Sequence, residues 1–382
     1  MIKFSEEQAM LLASAQSFCK DKSPFSVVRH QITQPTGFDA GLWKEIVALG
    51  WTSLAIPEAL GGSGLSLAEA ATIAEPMGRH LLATPFASTQ LFTQGLITGA
   101  SQAQQQRFLP SICNGSVATV ALFEPEGDWD LERVSATAQL SADSSSYTLS
   151  GVKTLVCDAH VAELILVSVA VNGAPSLAIL SKHELTADLK EQALQREVIV
   201  DETRRAFSLN LQGIQLPAEQ LINGASATNA LRSIRNAALL LYSAEAAGGI
   251  AGALDVIVDY LNTRTTFGRK IGSYQSLKHT SAEILISLER SRSHLYHAAT
   301  LLSESDPAFG ARAEVALRMA KVEAGEGFVF AGDRAVQFHG GFGFTYECNA
   351  QLYLRRAMWI QSAFGDAAHH RRRLGDALLN AA

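Results

Sequence analysis

The stretch "NAALLLYSAEAAGGIAGALDVIVDY", Asn236–Tyr260, constrains the fold more than any other part of this 382-residue chain. It is long and apolar enough to suggest a membrane span. Yet Glu245 and Asp255 lie inside it, and it continues into a polar helical segment. A helix apolar on nearly every face is otherwise a buried one. We therefore expect the core helix of a bundle and no membrane span.

The rest of the chain falls into three regions around that expectation. Residues 1 to about 112 carry helical spacing. In "SEEQAMLLASAQSFCK", Ser5 is placed as a cap, with Glu6 and Glu7 favourable at the positive helix end. "GLWKEIVALGW" and "SLAEAATIAEPMGRHLL" are further helices, separated by the turn-rich "IPEALGGSGL". At Gly115 the period changes to two. "SVATVALFE", "VSATAQLSA", "SSYTLSGVKTLV", "AELILVSVAV", "SLAILSK" and "RRAFSLNLQGIQL" predict short strands as far as about Pro217. "PAEQLINGAS" then reads as a linker. Helical spacing returns near Ala227, and Leu277, Ile284, Leu285, Leu288 and Leu295 mark one face of a long helix. The expected architecture is an α+β multidomain chain. It has an N-terminal helical domain (1–114), a middle β-sandwich or barrel-like domain (115–218) and a C-terminal four-helix bundle (219–382).

A formal net charge of −6 argues against nucleic acid, which calls for a basic face. Cys19, Cys113, Cys157 and Cys348 are scattered and form no C-x-x-C pair. Neither a metal site nor a disulfide framework is expected, and such thiols fit a reducing cytoplasm. The opening "MIKFSEEQAM" has no apolar signal-peptide core.

The most specific segment is "YLNTRTTFGRKIGSYQ", Tyr260–Gln275. It resembles the acyl-CoA dehydrogenase signature Y-x-x-x-R-x-x-F-G-x-x-I-x-x-x-Q, matching at Tyr260, Arg264, Phe267, Gly268, Ile271 and Gln275. "QFHGGFGF" (Gln337–Phe344) is similar to that family's Q-x-x-G-G-x-G element, and "IPEALGGSG" to its P-E-x-x-G-G loop. "LFEPEGD" and "LSGVKTLVCDAHVAELILV" resemble its two flavin-side stretches. Five motifs in family order span nearly the whole chain. The resemblance implies the helical/β-sandwich/helical fold. It also implies FAD lying between the β domain and the bundle and touched by a second subunit. Arg264 offers an always-charged planar fork suited to pyrophosphate. By the same match Thr266, Phe267, Ile271 and Gln275 are FAD contacts, although Phe267 and Ile271 could equally be core. Gln337, Gly340 and Gly341 resemble contacts to the dinucleotide of a neighbouring subunit, since glycines permit close backbone approach. His339 between them reads as a loop residue.

Several positions depart from the family pattern. Leu155 replaces the flavin-shielding Trp, and Cys157 replaces the Thr that meets the ring, a weaker donor. Leu239 stands where an Arg commonly approaches CoA. Arg232 and Arg235 either substitute from a turn earlier or are solvated residues at a helix start. Phe364 occupies the usual position of the catalytic Glu, and Ala238 the alternative one. Two carboxylates remain as candidate bases. Asp366 lies two residues beyond the usual site, but could instead cap the last helix or touch FAD. Glu245 lies two turns from Ala238 on one helix face, where a buried ion pair with an Arg explains it equally well.

The tail "AAHHRRRLGDA", with "TGFDAGLWKEIVALGW" and "EPMGRHLLATPF", resembles bacterial acyl-CoA dehydrogenases of the steroid side-chain type. The function implied is FAD-dependent α,β-dehydrogenation of an acyl-CoA thioester in lipid or steroid catabolism, with an electron-transfer flavoprotein as acceptor. The assembly implied is a homotetramer or an α2β2 heterotetramer. Phe364 and Leu239 support a different reading, a non-catalytic subunit that completes a partner's FAD site. A flavin monooxygenase on the same scaffold ranks lowest, because such relatives tend to lose the R-x-x-F-G segment retained here.

Overall fold

A computed structural model describes residues 5–182, 184, 193–303 and 308–379. The N-terminal helices are α1 (Glu6–Lys22), α2 (Phe25–Thr33), α3 (Ala40–Ala48), α4 (Leu67–Arg79), α5 (Phe86–Gly99) and α6 (Gln102–Cys113). Ser5 caps α1 as expected and forms a capping box with Gln8. Asp39 caps α3 by accepting from the amides of Gly41 and Leu42.

The middle region carries β1 (Ala118–Ala121), β2 (Thr137–Leu140), β3 (Ser146–Ser150), β4 (Val152–Cys157), β5 (Leu164–Val171) and β6 (Ala174–Ser181). It continues with β7 (Leu194–Glu197), β8 (Ala206–Asn210), β9 (Gln215–Pro217) and β10 (Leu221–Ile222). They form a seven-stranded sheet in the order β10-β6-β5-β2-β3-β9, with β1 parallel to β5, and a three-stranded sheet β4-β8-β7. The centre is the β5–β6 hairpin, paired in register from Leu164–Ser181 to Val171–Ala174. Two strands escape the period-two reading. The residues of β7 are half-buried or exposed along its length, so it shows no apolar alternation. Strand β10 falls inside the presumed linker, where Leu221 and Ile222 pair with Ala178 and Leu177.

The C-terminal region comprises α7 (Gly224–Thr263), α8 (Gln275–Ser303), α9 (Ala308–Phe338), α10 (Ala350–Ser362) and α11 (Ala367–Leu379). The 40 residues of α7 form a rod about 60 Å long. Its most apolar window is 94% buried, so the segment that resembles a membrane span is a core helix. Helix α4 lies against it at backbone contact. A Cβ on Gly78 would sit 1.9 Å from the carbonyl oxygen of Glu245, and one on Gly248 would sit 1.7 Å from that of Glu75. On α8, Ile284, Leu288 and Leu295 are buried, but Leu285 is 48% exposed. One residue is a rotation of about 100° around the helix, which carries Leu285 off the core face.

Candidate active site

Two separate cavities hold some of the residues singled out in the sequence. The inner one, about 480 Å³, lies between the β region and the bundle. Its β wall is formed by Phe123, Glu124, Thr154, Leu155 and Cys157, and its bundle wall by Tyr242, Trp359 and Phe364. Glu124 ties down the loop at its rim. It accepts from the amides of Ser135 and Ala136, each at 2.8 Å, and from Lys153 Nζ at 2.6 Å. Lys153 is fully buried and also donates to Ser168 Oγ at 2.9 Å. Burial works upward on the Glu124 carboxyl, but these hydrogen bonds outweigh it and hold it at about 2.

Strand β4 slips register against β8 between Lys153 and Val156, and Leu155 takes φ +53°. That irregularity turns Leu155 outward, 46% exposed, at the cavity wall. Cys157 lines the same wall, and burial pushes its thiol up to about 12. It is therefore a neutral group near pH 7 and a poor nucleophile.

Phe364 is 7% exposed, with its ring edge-on to Phe123 at 5.0 Å and 6.0 Å from that of Tyr242. Its φ of +58° and that of +113° at Gly365 form a tight turn. A Cβ on Gly365 would lie 2.8 Å from the His369 and His370 rings, so only glycine fits there. Lys321 fastens this turn from beneath. Its Nζ donates to the carbonyls of Ile360 at 2.9 Å, Gln361 at 3.1 Å and Gly365 at 3.1 Å. Burial lowers its ammonium to about 7, opposed by the charge of Asp366.

Asp366 sits at the start of α11, where Oδ1 accepts from the His369 amide at 2.7 Å. This is the capping role weighed for it, and Asp366 is not among the residues lining the inner cavity. Glu245 is not in that wall either. It accepts from Arg204 and Arg356, and Arg356 also bonds Asp201 and Thr203. Arg356 is fully buried, so two cations and two anions are enclosed together. The Arg204 guanidinium lies 4.4 Å above the Trp359 ring, directly behind the cavity wall. Arg235 is ion-paired to Glu314 at 3.0 Å rather than solvated. Arg232 is exposed on α7 and borders a third cleft.

The outer cavity, about 610 Å³, brings together Arg264, Thr266, Phe267, Ile271, Gly340 and Gly341. A two-strand hairpin, β11 (Thr265–Thr266) and β12 (Arg269–Lys270), presents them. Phe267 and Gly268 at its tip both have positive φ, +53° and +77°, as tight hairpin turns demand. No acidic side chain pairs with Arg264 among the described residues. Phe267 is 91% exposed and Phe344 76%. His339 stacks on Tyr260 at 4.0 Å, and its Nδ1 lies 2.7 Å from the Ala335 carbonyl, a structural loop position. Gln275 and Gln337 are exposed nearby in sequence but do not line the cavity.

These two settings suit two different parts of FAD. The inner cavity is a largely apolar slot with aromatic walls, fit for a flat ring. The outer one offers an unpaired guanidinium beside two glycines, fit for a pyrophosphate. Sequence reasoning missed Lys153, Lys321, Arg356 and Tyr242. The last is the one aromatic residue within "NAALLLYSAEAAGG", a signal that was available but reads as core.

Family models for the acyl-CoA dehydrogenase N-terminal and C-terminal domains match residues 5–116 and 227–379. Acyl-CoA dehydrogenase FadE12 of Mycobacterium tuberculosis is 30% identical over 314 residues, covering 80% of this chain and 79% of its own length. Acyl-CoA dehydrogenase IpdE2 of Mycolicibacterium smegmatis is 26% identical over 373 residues, 97% of this chain and 98% of its own. Among solved structures, the Tcur3481–Tcur3483 steroid ACAD superposes with a TM-score of 0.85 over 98% of both chains, at 26% identity.

Proposed function

Because this chain belongs to the acyl-CoA dehydrogenase family, oxidoreductases that act on acyl-CoA with FAD, we propose that it converts an acyl-CoA thioester to the 2-enoyl-CoA. The observation that carries this reading is the inner cavity, walled on one side by the flavin-side stretches and on the other by the Phe364 turn. FAD, when bound, supplies the acceptor for the β-hydride. The chain's own part is to exclude water with its aromatic wall, orient the thioester and take the α-proton. Asp366 is the proposed acceptor of that proton, since its Oδ2 accepts no hydrogen bond among the described residues. To reach substrate, the turn pinned by Lys321 has to shift. Glu245 is the alternative base, reached only if Arg204 and Arg356 release it.

Arg264, Thr266, Gly340 and Gly341 are proposed to hold the FAD of a neighbouring subunit in a homotetramer or α2β2 heterotetramer, with Gln275 and Gln337 at the margin. Phe267 and Ile271 supply the apolar contact there, and Cys157 meets the ring in its own subunit. The steroid-related relatives favour a lipid or steroid substrate, and an electron-transfer flavoprotein suits as electron acceptor.

The test is anaerobic mixing of the yellow protein with varied acyl-CoAs. Flavin bleaching is expected, and its absence with every thioester, alone and with a co-encoded partner, would sink the proposal. Asp366→Asn should block reduction while FAD stays bound. Unchanged turnover removes Asp366, and Glu245→Gln then tests the alternative. A second reading has one observation in its favour, the buried Phe364 ring in the base's place. It makes the chain a non-catalytic subunit, colourless alone and yellow and active only with its partner.

A further inference from the structure

Lys321, on α9, has an uncommon set of partners for a buried cation. It is 2% exposed, and among the described residues no carboxylate lies within salt-bridge distance of its Nζ. Its three protons are matched instead by three carbonyls, those of Ile360, Gln361 and Gly365. Lys153, also buried, has the Glu124 carboxylate at 2.6 Å. A buried ammonium without a counter-ion gives up its hydration for dipoles alone, so it loses its proton more readily than an exposed lysine. Burial accordingly lowers Lys321 to about 7, with the charge of Asp366 opposing. Few other charged or titratable groups surround it. Asp366 and His370 come from α11, with the His369 ring 5.2 Å from that of His370. Arg318, one turn back on α9, has Glu314 at 2.8 Å, and its Nη1 lies 3.1 Å from His370 Nδ1. Burial lowers both histidines, so they titrate below their ordinary range.

The segment that Lys321 grips needs holding. The carbonyls of Ile360 and Gln361 belong to the last turn of α10, whereas that of Gly365 lies beyond it, so one ammonium ties both sides of the Phe364 turn. Phe364 has φ +58°, unfavourable for a residue with a Cβ, and its ring rests on Phe123 at 5.0 Å. Asp366 follows two residues later and is kept at the α11 cap, outside the inner cavity wall. An ammonium offers three donors, enough for three carbonyls. A neutral amine offers two donors and a lone pair, so one carbonyl loses its partner and faces the lone pair instead. The two bonds that remain lose their charge assistance. Loss of a single proton therefore weakens every tie that Lys321 makes to a strained turn.

We propose that Lys321 is a positioning residue: its ammonium clamps the Phe364 turn shut, and loss of its proton to solvent releases the turn and brings Asp366 toward the inner cavity. The role of Asp366 rests on the acyl-CoA reading above. Two measurements on the oxidised holoprotein test the clamp. Near-UV circular dichroism, which reports the packed Phe364, Tyr242 and Trp359 rings, should show a step between about pH 6 and 8. Stopped-flow bleaching of the flavin by an acyl-CoA that reduces it should be about fivefold or more faster at the upper end than at the lower. Lys321→Met should flatten both profiles, with the low-pH rate raised toward that of the unchanged protein at high pH. Lys321→Arg, charged throughout, should also remove the step but keep the turn shut and the rate low. His370→Gln should retain the step. A flat dichroism profile in the unchanged protein overturns the proposal. So does a step that survives both Lys321 variants, or one that leaves the bleaching rate unmoved. If no thioester bleaches the flavin, the dehydrogenase reading falls, and the Lys321-dependent dichroism step still decides the clamp.

Discussion

The inner and outer cavities are built on opposite principles. Around the inner one, charged groups are already spoken for: Lys153 by Glu124, Arg356 by Asp201 and Glu245, and Lys321 by three carbonyls. The Tyr242 phenol lines that cavity, and no described residue hydrogen-bonds it. Among the described residues, the outer cavity leaves Arg264 without an acidic partner and Phe267 almost fully in solvent. The first is preorganised by the chain itself, whereas the second is an open surface, the one proposed to be completed by a neighbour. The chain thus spends its internal contacts on the wall of the inner cavity. It keeps the Arg264 hairpin at an edge.

The contrast can be broken most forcefully from inside. Arg356→Ala leaves Asp201 and Glu245 short of a buried cation and should cost about 3–5 kcal/mol, read as a fall in denaturant midpoint. Lys321→Met strips three carbonyls of their donor and should cost about 2 kcal/mol. Near-UV circular dichroism should also change as the Phe364 turn loosens. A smaller effect concerns pH. Burial, with Lys321 and Arg318 adding to it, pushes His370 down to about 3. Between roughly pH 6.5 and 3 the unfolded chain then binds the extra proton, so stability falls as pH falls through that window. His370→Gln should flatten the slope by at most about 1.4 kcal/mol per pH unit. The smallest expected change is at the outer cavity. Arg264→Ala should move apoprotein stability by less than about 0.5 kcal/mol while FAD is lost readily on gel filtration. A large drop in apoprotein stability would erase the distinction drawn between the two regions.

Much of the outer site was legible in the sequence because it is local. Arg264, Thr266, Phe267 and Ile271 belong to one hairpin and its exit, so their spacing alone carries their arrangement. Gly340 and Gly341 form a second short run. The order of helices, strands and helices was legible for a similar reason, since burial on one face imposes a period of 3.6 or 2. Where that condition fails, the reading fails too. Strand β7 has no apolar face, and Leu285 belongs to the run of Leu and Ile on α8 yet points to solvent. The walls of the inner cavity are braced from behind by Asp201, Glu245 and Arg356, and by Lys321 and Gly365, which are far apart in the chain. Spacing cannot encode such meetings.

By itself, the sequence determined the domain order, the buried α7 helix, the family resemblance and the Arg264 motif. All of these rest on periodicity or on short fixed spacings. Only the tertiary structure decided that Glu245 is locked between two arginines, that Asp366 caps α11, and that Tyr242 lines the inner cavity beside Phe364. A side chain's protonation and availability depend on which distant groups share its low-dielectric surroundings, and folding alone brings those groups together.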